Sequence, residues 1–440
     1  MFYSKFFSYA FFSIVILHSS SATNVTFNPE PIRLTIADLP RFNTTPSATK
    51  GSIIVEVPRD PKLLVPNGFV VKTWMTNLIK PRLLLESPSG DILVSESGGD
   101  RISCLIDNDL DGFPDERITF ADKSNKLNYP YGMAFQNDSF YVANRDGIRR
   151  YSWTHGSRKI DGEGELLLSL NPMGHRTRSL LLSPVENKMY IGIGSLTDHD
   201  ADPLPKASVQ IANLDGTNQS TFAFGLRNPT SLAFHPITKE LYVACQERDE
   251  IGDDLVPDFL TRIQQDQFFG WPFAYLSRDL IDPRYRFENG SSTHPDLVQA
   301  TTTPDVLFQA HSAVLDMKFY TGTQFPTRYR NGAFAAFHGS WNRMIGTGYK
   351  VVFIPFGDDN RPKGYYENFL DGFLVDPSGP DTFATPVGIL VQRNGSLLIT
   401  DDANNRIYQV QYMPNSATFH QNYLSSVFLA LLLLLSHCFS

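Results

Sequence analysis

Basic side chains stand just ahead of apolar, strand-like runs at widely separated points of this 440-residue chain. His175 lies in GHRTRS, Arg227 in GLRNP, Arg248 in CQERDEIGDDLVPD and Arg343 in FHGSWNR. An imidazole exchanges its proton near neutral pH and suits a general base. Guanidinium groups recognise carboxylates and other anions through paired hydrogen bonds. Together these groups would serve an anionic cofactor or substrate. Singly, each has a plainer reading. A histidine before a strand is usually structural or solvated, Arg-Asn-Pro makes a turn, and the acidic run after Cys245 reads as a solvated loop. The chemistry therefore depends on elements that bring the four together.

Those elements repeat. An apolar strand, a tight polar turn and a second apolar strand recur from Leu83, Tyr131, Arg178, Thr230, Val314 and Val387. Apolar residues alternate within each strand, as in a half-buried sheet. Asn394-Gly395 is a strong hairpin signal. A strand-built repeat of about 50 residues marks a β-propeller. The expected fold is therefore all-β, a six-bladed β-propeller with four-stranded antiparallel blades around a central channel. A propeller gathers functional groups where the inner strands begin. The fifth and sixth repeats are more widely spaced, so insertions there form loops on one face. No long amphipathic helix is expected, although Leu255 to Gln265 could form a short one.

Hydrophobic residues make up 42% of the chain and aromatics 12%, enough for a large core. The net charge of −8 and the lack of a long basic run exclude a nucleic-acid surface. Residues 1–22 hold a lysine, a short apolar stretch and small residues, the pattern of a secretory signal peptide. Residues 23–65, rich in Pro, Thr and Asn, are an extension that either wraps the outside or supplies a ring-closing strand. The propeller occupies 66–413. Residues 414–440 hold a polar spacer and a short greasy tail, the pattern of a GPI anchor, with a secreted protein or a simple tail anchor as alternatives. The expected location is extracellular or at the cell surface, with membrane contact only through a C-terminal lipid. N-x-S/T sequons at Asn24, Asn43, Asn137, Asn218, Asn289 and Asn394 suit that route. Cys104 and Cys245 either pair across blades or remain buried thiols, and Cys438 belongs to the tail. DNDLDGFPDE, from Asp107 to Glu116, resembles a Ca²⁺ loop but lacks the EF-hand acid at its proper distance and the flanking helices. It reads as a hairpin turn able to hold a surface ion.

HRTRSLLLSP, FGLRNPTSLAFHP, ERDEIGDDLVPDFL, FFGWP, AFHGSWNR and GSLLITDDANNRIYQVQY, in that order, resemble the quinoprotein sugar dehydrogenases. These include the sorbosone, fungal pyranose and soluble glucose types. The similarity runs from about Gly68 to Tyr412. The resemblance implies pyrroloquinoline quinone (PQQ) and Ca²⁺ at the channel mouth. It implies His175 as general base, with Arg227 and Asn228 at the quinone edge. The backbone carbonyls of Arg248 and Asp249 would hold Ca²⁺. Arg343 and His338 would bind the PQQ carboxylates, with Arg82 and Asp401 as further cofactor contacts. The lysine-and-two-arginine set of the glucose type is not matched near His338 to Arg343. No C-x-x-C-H is present to bind a haem.

The activity so implied is oxidation of a small sugar at the anomeric carbon, by hydride transfer to PQQ. Electrons then pass to an external acceptor, a cytochrome or quinone. Two other functions compete. One is a non-catalytic cell-surface binding propeller, since fold does not fix function. The other is a Ca²⁺-dependent lactonase-type hydrolase, for which Asn144, Asn228 and Asp401 would supply only part of a metal ring.

Overall fold

Short turn residues drive each apolar pair into an antiparallel hairpin. At Asn394-Gly395, Gly395 takes φ 85°, a left-handed conformation that glycine adopts without a Cβ clash. The turn joins Pro386–Val391 to Leu397–Asp401. The computed structural model describes residues 23–414; the expected signal peptide and greasy tail lie outside the described residues.

Six sheets of four or five strands follow one another along the chain. Their first strands are Pro81–Glu86, Met133–Gln136, Arg178–Leu182, Asn228–Phe234, Val314–Phe319 and Pro386–Val391. These strands touch in cyclic order, the last against the first. The all-β expectation is met. The sixth sheet is completed by Phe69–Met75, which pairs with Arg406–Tyr412. Closure thus uses a strand just beyond the 23–65 extension. Thr23–Phe27 in that extension instead pairs in parallel with Lys62–Pro66.

Six apolar cores lie between neighbouring sheets. Phe140 and Val142 meet Leu93 and Ile102 between the second and first sheets. Leu398 and Ile407 meet Val94 between the sixth and first. Each core needs two sheets, so a single sheet could not bury its own faces. Polar side chains stitch the inner wall. The Tyr131 hydroxyl donates to the Leu315 carbonyl at 2.8 Å, from the second sheet to the fifth. Asp316 accepts from the Ser231 hydroxyl and from the Ile389 N–H, tying fourth, fifth and sixth sheets.

One expectation is corrected, and one open alternative is decided. Leu255 to Gln265 is not helical; Phe259–Ile263 is the third strand of the fourth sheet. The α-helix among the described residues is the five-residue Pro295–Gln299. Cys104 and Cys245 are both free and buried, in the first and fourth sheets, so the buried-thiol alternative holds.

Candidate active site

First strands begin, and second strands end, at one end of the ring. The loops that carry the chemical residues therefore share that end. His175 precedes Arg178–Leu182 and lies against the turn that follows Lys188–Ile193. Gly194 makes this approach possible: a Cβ there would meet Asn228 Oδ1 at 2.4 Å and the His175 Cβ at 2.6 Å. His175 Nδ1 faces the Ser195 carbonyl at 3.0 Å and the Ser195 hydroxyl oxygen at 3.1 Å. That hydroxyl donates its own proton to the Thr197 carbonyl. Both neighbours thus require the imidazole proton on Nδ1, leaving Nε2 with a free lone pair. Burial, and then the Arg227 charge, lower the His175 pKa to about 4. The ring keeps a fifth of its surface exposed, so it is a neutral, reachable base at pH 7.

Arg227 is the hub. Its Nη2 donates to Asp198 Oδ1 at 2.7 Å and to Asp249 Oδ2 at 2.5 Å. The guanidinium lies 5.7 Å from the Trp271 ring centre, in the FFGWP segment. Burial opposes its charge, but Asp249 and Asp198 more than offset that and raise its pKa. Asp249 Oδ1 accepts from His311 Nδ1 at 3.1 Å, and Gly252 O accepts from His311 Nε2 at 3.1 Å. Facing two acceptors, His311 is held as a cation; burial is outweighed by the bond to Asp249. Asn228 Nδ2 donates to Gln246 Oε1 at 2.8 Å. Beneath the cluster, burial pushes Glu247 up to about 8, and its Oε1 has no protein partner.

A second arc adjoins. Arg82 Nη2 meets Asp402 Oδ2 at 3.0 Å, and His338 Nε2 meets Asp402 Oδ1 at 2.9 Å. Burial opposes ionisation of Asp402, yet Arg82 and His338 hold its pKa far below the usual carboxylate range. Arg82 also donates to the Tyr129 hydroxyl at 3.4 Å. The Arg176 guanidinium stands 5.9 Å from the Tyr129 ring centre, so the residue next to His175 links the two arcs.

The structure thus gathers His175, Arg227 and Asn228 in one arc, and Arg82 with His338 in the other. Two expected residues, Asp401 and Arg343, lie elsewhere. Asp401 is not at the mouth's cations: its Oδ1 accepts the N–H groups of Thr385 and Ala403 as a turn cap, and its neighbour Asp402 faces Arg82. The Arg343 guanidinium pairs with Asp254 at 2.8 Å and with the Asp253 carbonyl, on the rim beyond Asp249. The Arg248 side chain is spent on a buried pair with Asp282 at 2.7 Å. The carbonyl of Arg248 accepts from Val256 N–H, and that of Asp249 from the Arg248 guanidinium. A carbonyl has two lone pairs, so each keeps one for a cation.

Sequence reasoning passed over Asp198, His311, Asp402 and Tyr129. His311 was findable, since it precedes the fifth first strand much as His175 precedes the third. Asp107, Asp109 and Asp115 bring ligand oxygens within 4.8 Å of one another. They lie in the hairpin before Glu116–Ala121, at the opposite end of the ring.

The TrAA12-like family profile matches residues 63–267 and 282–413. This chain belongs to the TrAA12-like family. Relatives of this TrAA12-like chain include an uncharacterized protein of Borreliella burgdorferi, 29% identical over 369 residues, covering 80% of this chain and 91% of that one. A pyrroloquinoline quinone-dependent sugar dehydrogenase of Hypocrea jecorina is 21% identical over 401 residues, covering 80% and 90%. The pyranose dehydrogenase of Coprinopsis cinerea, also PQQ-dependent, is 23% identical and covers 66% of this chain but 44% of its own length. These two named relatives are oxidoreductases. In three dimensions the TrAA12-like fold overlays the calcium structure of the Trichoderma reesei family AA12 enzyme with TM-score 0.68 at 20% identity, covering 83% of this chain and 99% of that one. It overlays the holo PQQ domain of the Coprinopsis pyranose dehydrogenase with TM-score 0.65 at 17% identity, covering 82% and 98%.

Proposed function

We propose that this chain is a PQQ-dependent sugar dehydrogenase whose six sheets are propeller blades and whose cofactor sits over the mouth described above. The observation that carries this reading is His175, a neutral base with a free Nε2, beside Arg227 and its two carboxylates. The donor set fits a planar polyanion. Arg82 Nε is buried without a partner, and an anion would satisfy it. Arg82, His338 and Arg176 would hold the carboxylates, and Asn228 and Arg227 would lie at the reacting edge. Calcium would use the free lone pairs of the Arg248 and Asp249 carbonyls, acting as a Lewis acid.

Bound PQQ supplies a two-electron acceptor for hydride. The protein's own part is to bind, orient and move a proton. His175 Nε2 takes the sugar hydroxyl proton as the C–H bond breaks, at the anomeric carbon in this reading. The Ser195 carbonyl holds the ring in the tautomer that can do so. Arg227 stays charged because Asp198 and Asp249 flank it. Electrons leave afterwards to an external acceptor. A redox-dye assay with added PQQ and Ca²⁺ over a panel of aldoses tests the proposal. Sugar-dependent dye reduction supports it, and lactone hydrolysis without dye reduction would overturn it.

We also infer passage through the secretory pathway to the cell surface, anchored by a GPI lipid. The leader and tail patterns support this, as do five sequon asparagines (Asn43, Asn137, Asn218, Asn289 and Asn394) that are exposed in the folded chain.

A further inference from the structure

At the end of the ring opposite the site, hairpins of the second and third sheets border an open cleft of about 550 Å³. That lies within the ~300–1,000 Å³ typical of small-ligand sites. Gln136, Asn187 and Asn213 line it with carboxamides, and Tyr141 and Arg150 with a phenol and a guanidinium. Two charged side chains line it as well: Arg150 pairs with Glu165 at 2.5 Å, and the Asp215 carboxylate accepts from the Thr217 N–H at 2.9 Å and from the Thr217 hydroxyl at 2.6 Å. A wall made mostly of carboxamides and hydroxyls, with both charged groups already partnered, suits a polyol better than an apolar ligand.

Asn137 lies on the same cleft, at the tip of the hairpin between Met133–Gln136 and Ser139–Asn144. Asn137-Asp138-Ser139 is an N-glycosylation acceptor. The residue is exposed, with φ 51°. Among the described residues no hydrogen bond engages its carboxamide. Other sequon asparagines are engaged: Asn24 Oδ1 accepts the Val71 N–H at 3.1 Å, and Asn394 Oδ1 accepts the Ser396 N–H at 2.9 Å. Asn218, also exposed, is on the third-sheet hairpin at the same end but does not line the cleft.

We propose that Asn137 carries an N-linked oligosaccharide whose first sugar rings rest in this amide-lined cleft. In the transfer, Asn137 Nδ2 bonds to the anomeric carbon of a lipid-pyrophosphate-linked oligosaccharide. The lipid pyrophosphate leaves, and the amide proton passes to solvent base. The proposal rests on the secretory reading and is independent of the dehydrogenase reading.

The test is expression of the full chain in a eukaryotic secretory host, with glycopeptide mapping and endoglycosidase trimming of the folded protein. Asn137 is expected to be occupied, and its glycan to be trimmed at least several-fold more slowly than the glycan on Asn218. Heat unfolding, or Asn213→Ala, should bring the two rates together, and Asn137→Gln should remove one glycan mass. An unoccupied Asn137 beside other occupied sequons would overturn the proposal alone. Equal trimming rates at the two sites in the folded protein would overturn the resting place. Absence of sugar from every sequon would overturn the secretory reading as well.

Discussion

His175 and Arg227 share a carboxylate: Asp198 Oδ1 lies 4.0 Å from His175 Nε2 and 2.7 Å from Arg227 Nη2. The acid lies closer to the guanidinium; its charge offsets the effect of Arg227 on the imidazole only in part, and burial with Arg227 keeps the His175 pKa low. His175→Ala should therefore lose turnover by roughly 10²- to 10⁴-fold, the usual worth of general-base help. Quinone affinity, measured by titration, should change little. Retained turnover would remove the base assignment.

The same pair sets the pH dependence. His175 is a working base only when unprotonated, which holds above its pKa of about 4. Activity should fall as pH drops through that value and stay flat above it. Arg227→Ala removes a positive neighbour, so the imidazolium becomes easier to form and the acid limb should move to higher pH. A kcat/KM profile of both proteins checks the direction.

Asp402 holds Arg82, whose side chain is 13% exposed, against its own 6%. Asp402→Ala would leave a largely buried guanidinium unpaired, at a cost of about 3–5 kcal/mol. Urea unfolding should show this as a lowered midpoint. Removing the solvent-exposed Asp161, paired with Lys159 at 3.3 Å, should leave the midpoint nearly unchanged.

The ring of sheets was legible because its signals are local: period-two strands, turn residues and a repeat length. Asn394-Gly395 needed no tertiary knowledge. His175 and Arg227 were legible for a related reason, since each stands just before a first strand, and such positions converge. What failed was resolution at single residues. At Asp401-Asp402 the strand ends and a turn begins, and the two side chains take different partners, so choosing the wrong neighbour exchanged a turn cap for the partner of Arg82. Phe259–Ile263 is buried along nearly its whole length. It therefore lacks the alternation that marks a strand. Arg343 was expected at the cofactor because the resemblance of FHGSWNR implied it, but the acids that claim it arrive from a loop about 90 residues away in sequence.

Burial governs the two thiols. Desolvation pushes Cys104 up to about 12 and Cys245 well above its usual value. The thiolate is the reactive form. Neither should react with a disulfide reagent in the folded protein, and peptide mapping should find both modified after unfolding. An isolated Cys104–Cys245 disulfide peptide would contradict the separation of their sheets.

Metal removal probes the Arg248 and Asp249 carbonyls. Chelation should weaken PQQ reconstitution, and Ca²⁺ should restore it. Reconstitution unaffected by a chelator would remove the ion from these oxygens while leaving the arginine contacts in place.

The most direct measurement is the absorbance spectrum of the purified protein mixed with PQQ and Ca²⁺, before and after each of a panel of aldoses. At least one sugar should reduce the bound quinone in the wild type, whereas His175→Ala should bind the quinone but leave it oxidised. A protein that binds no quinone, or one whose His175→Ala variant reduces it at the wild-type rate, is not a PQQ-dependent dehydrogenase working through His175.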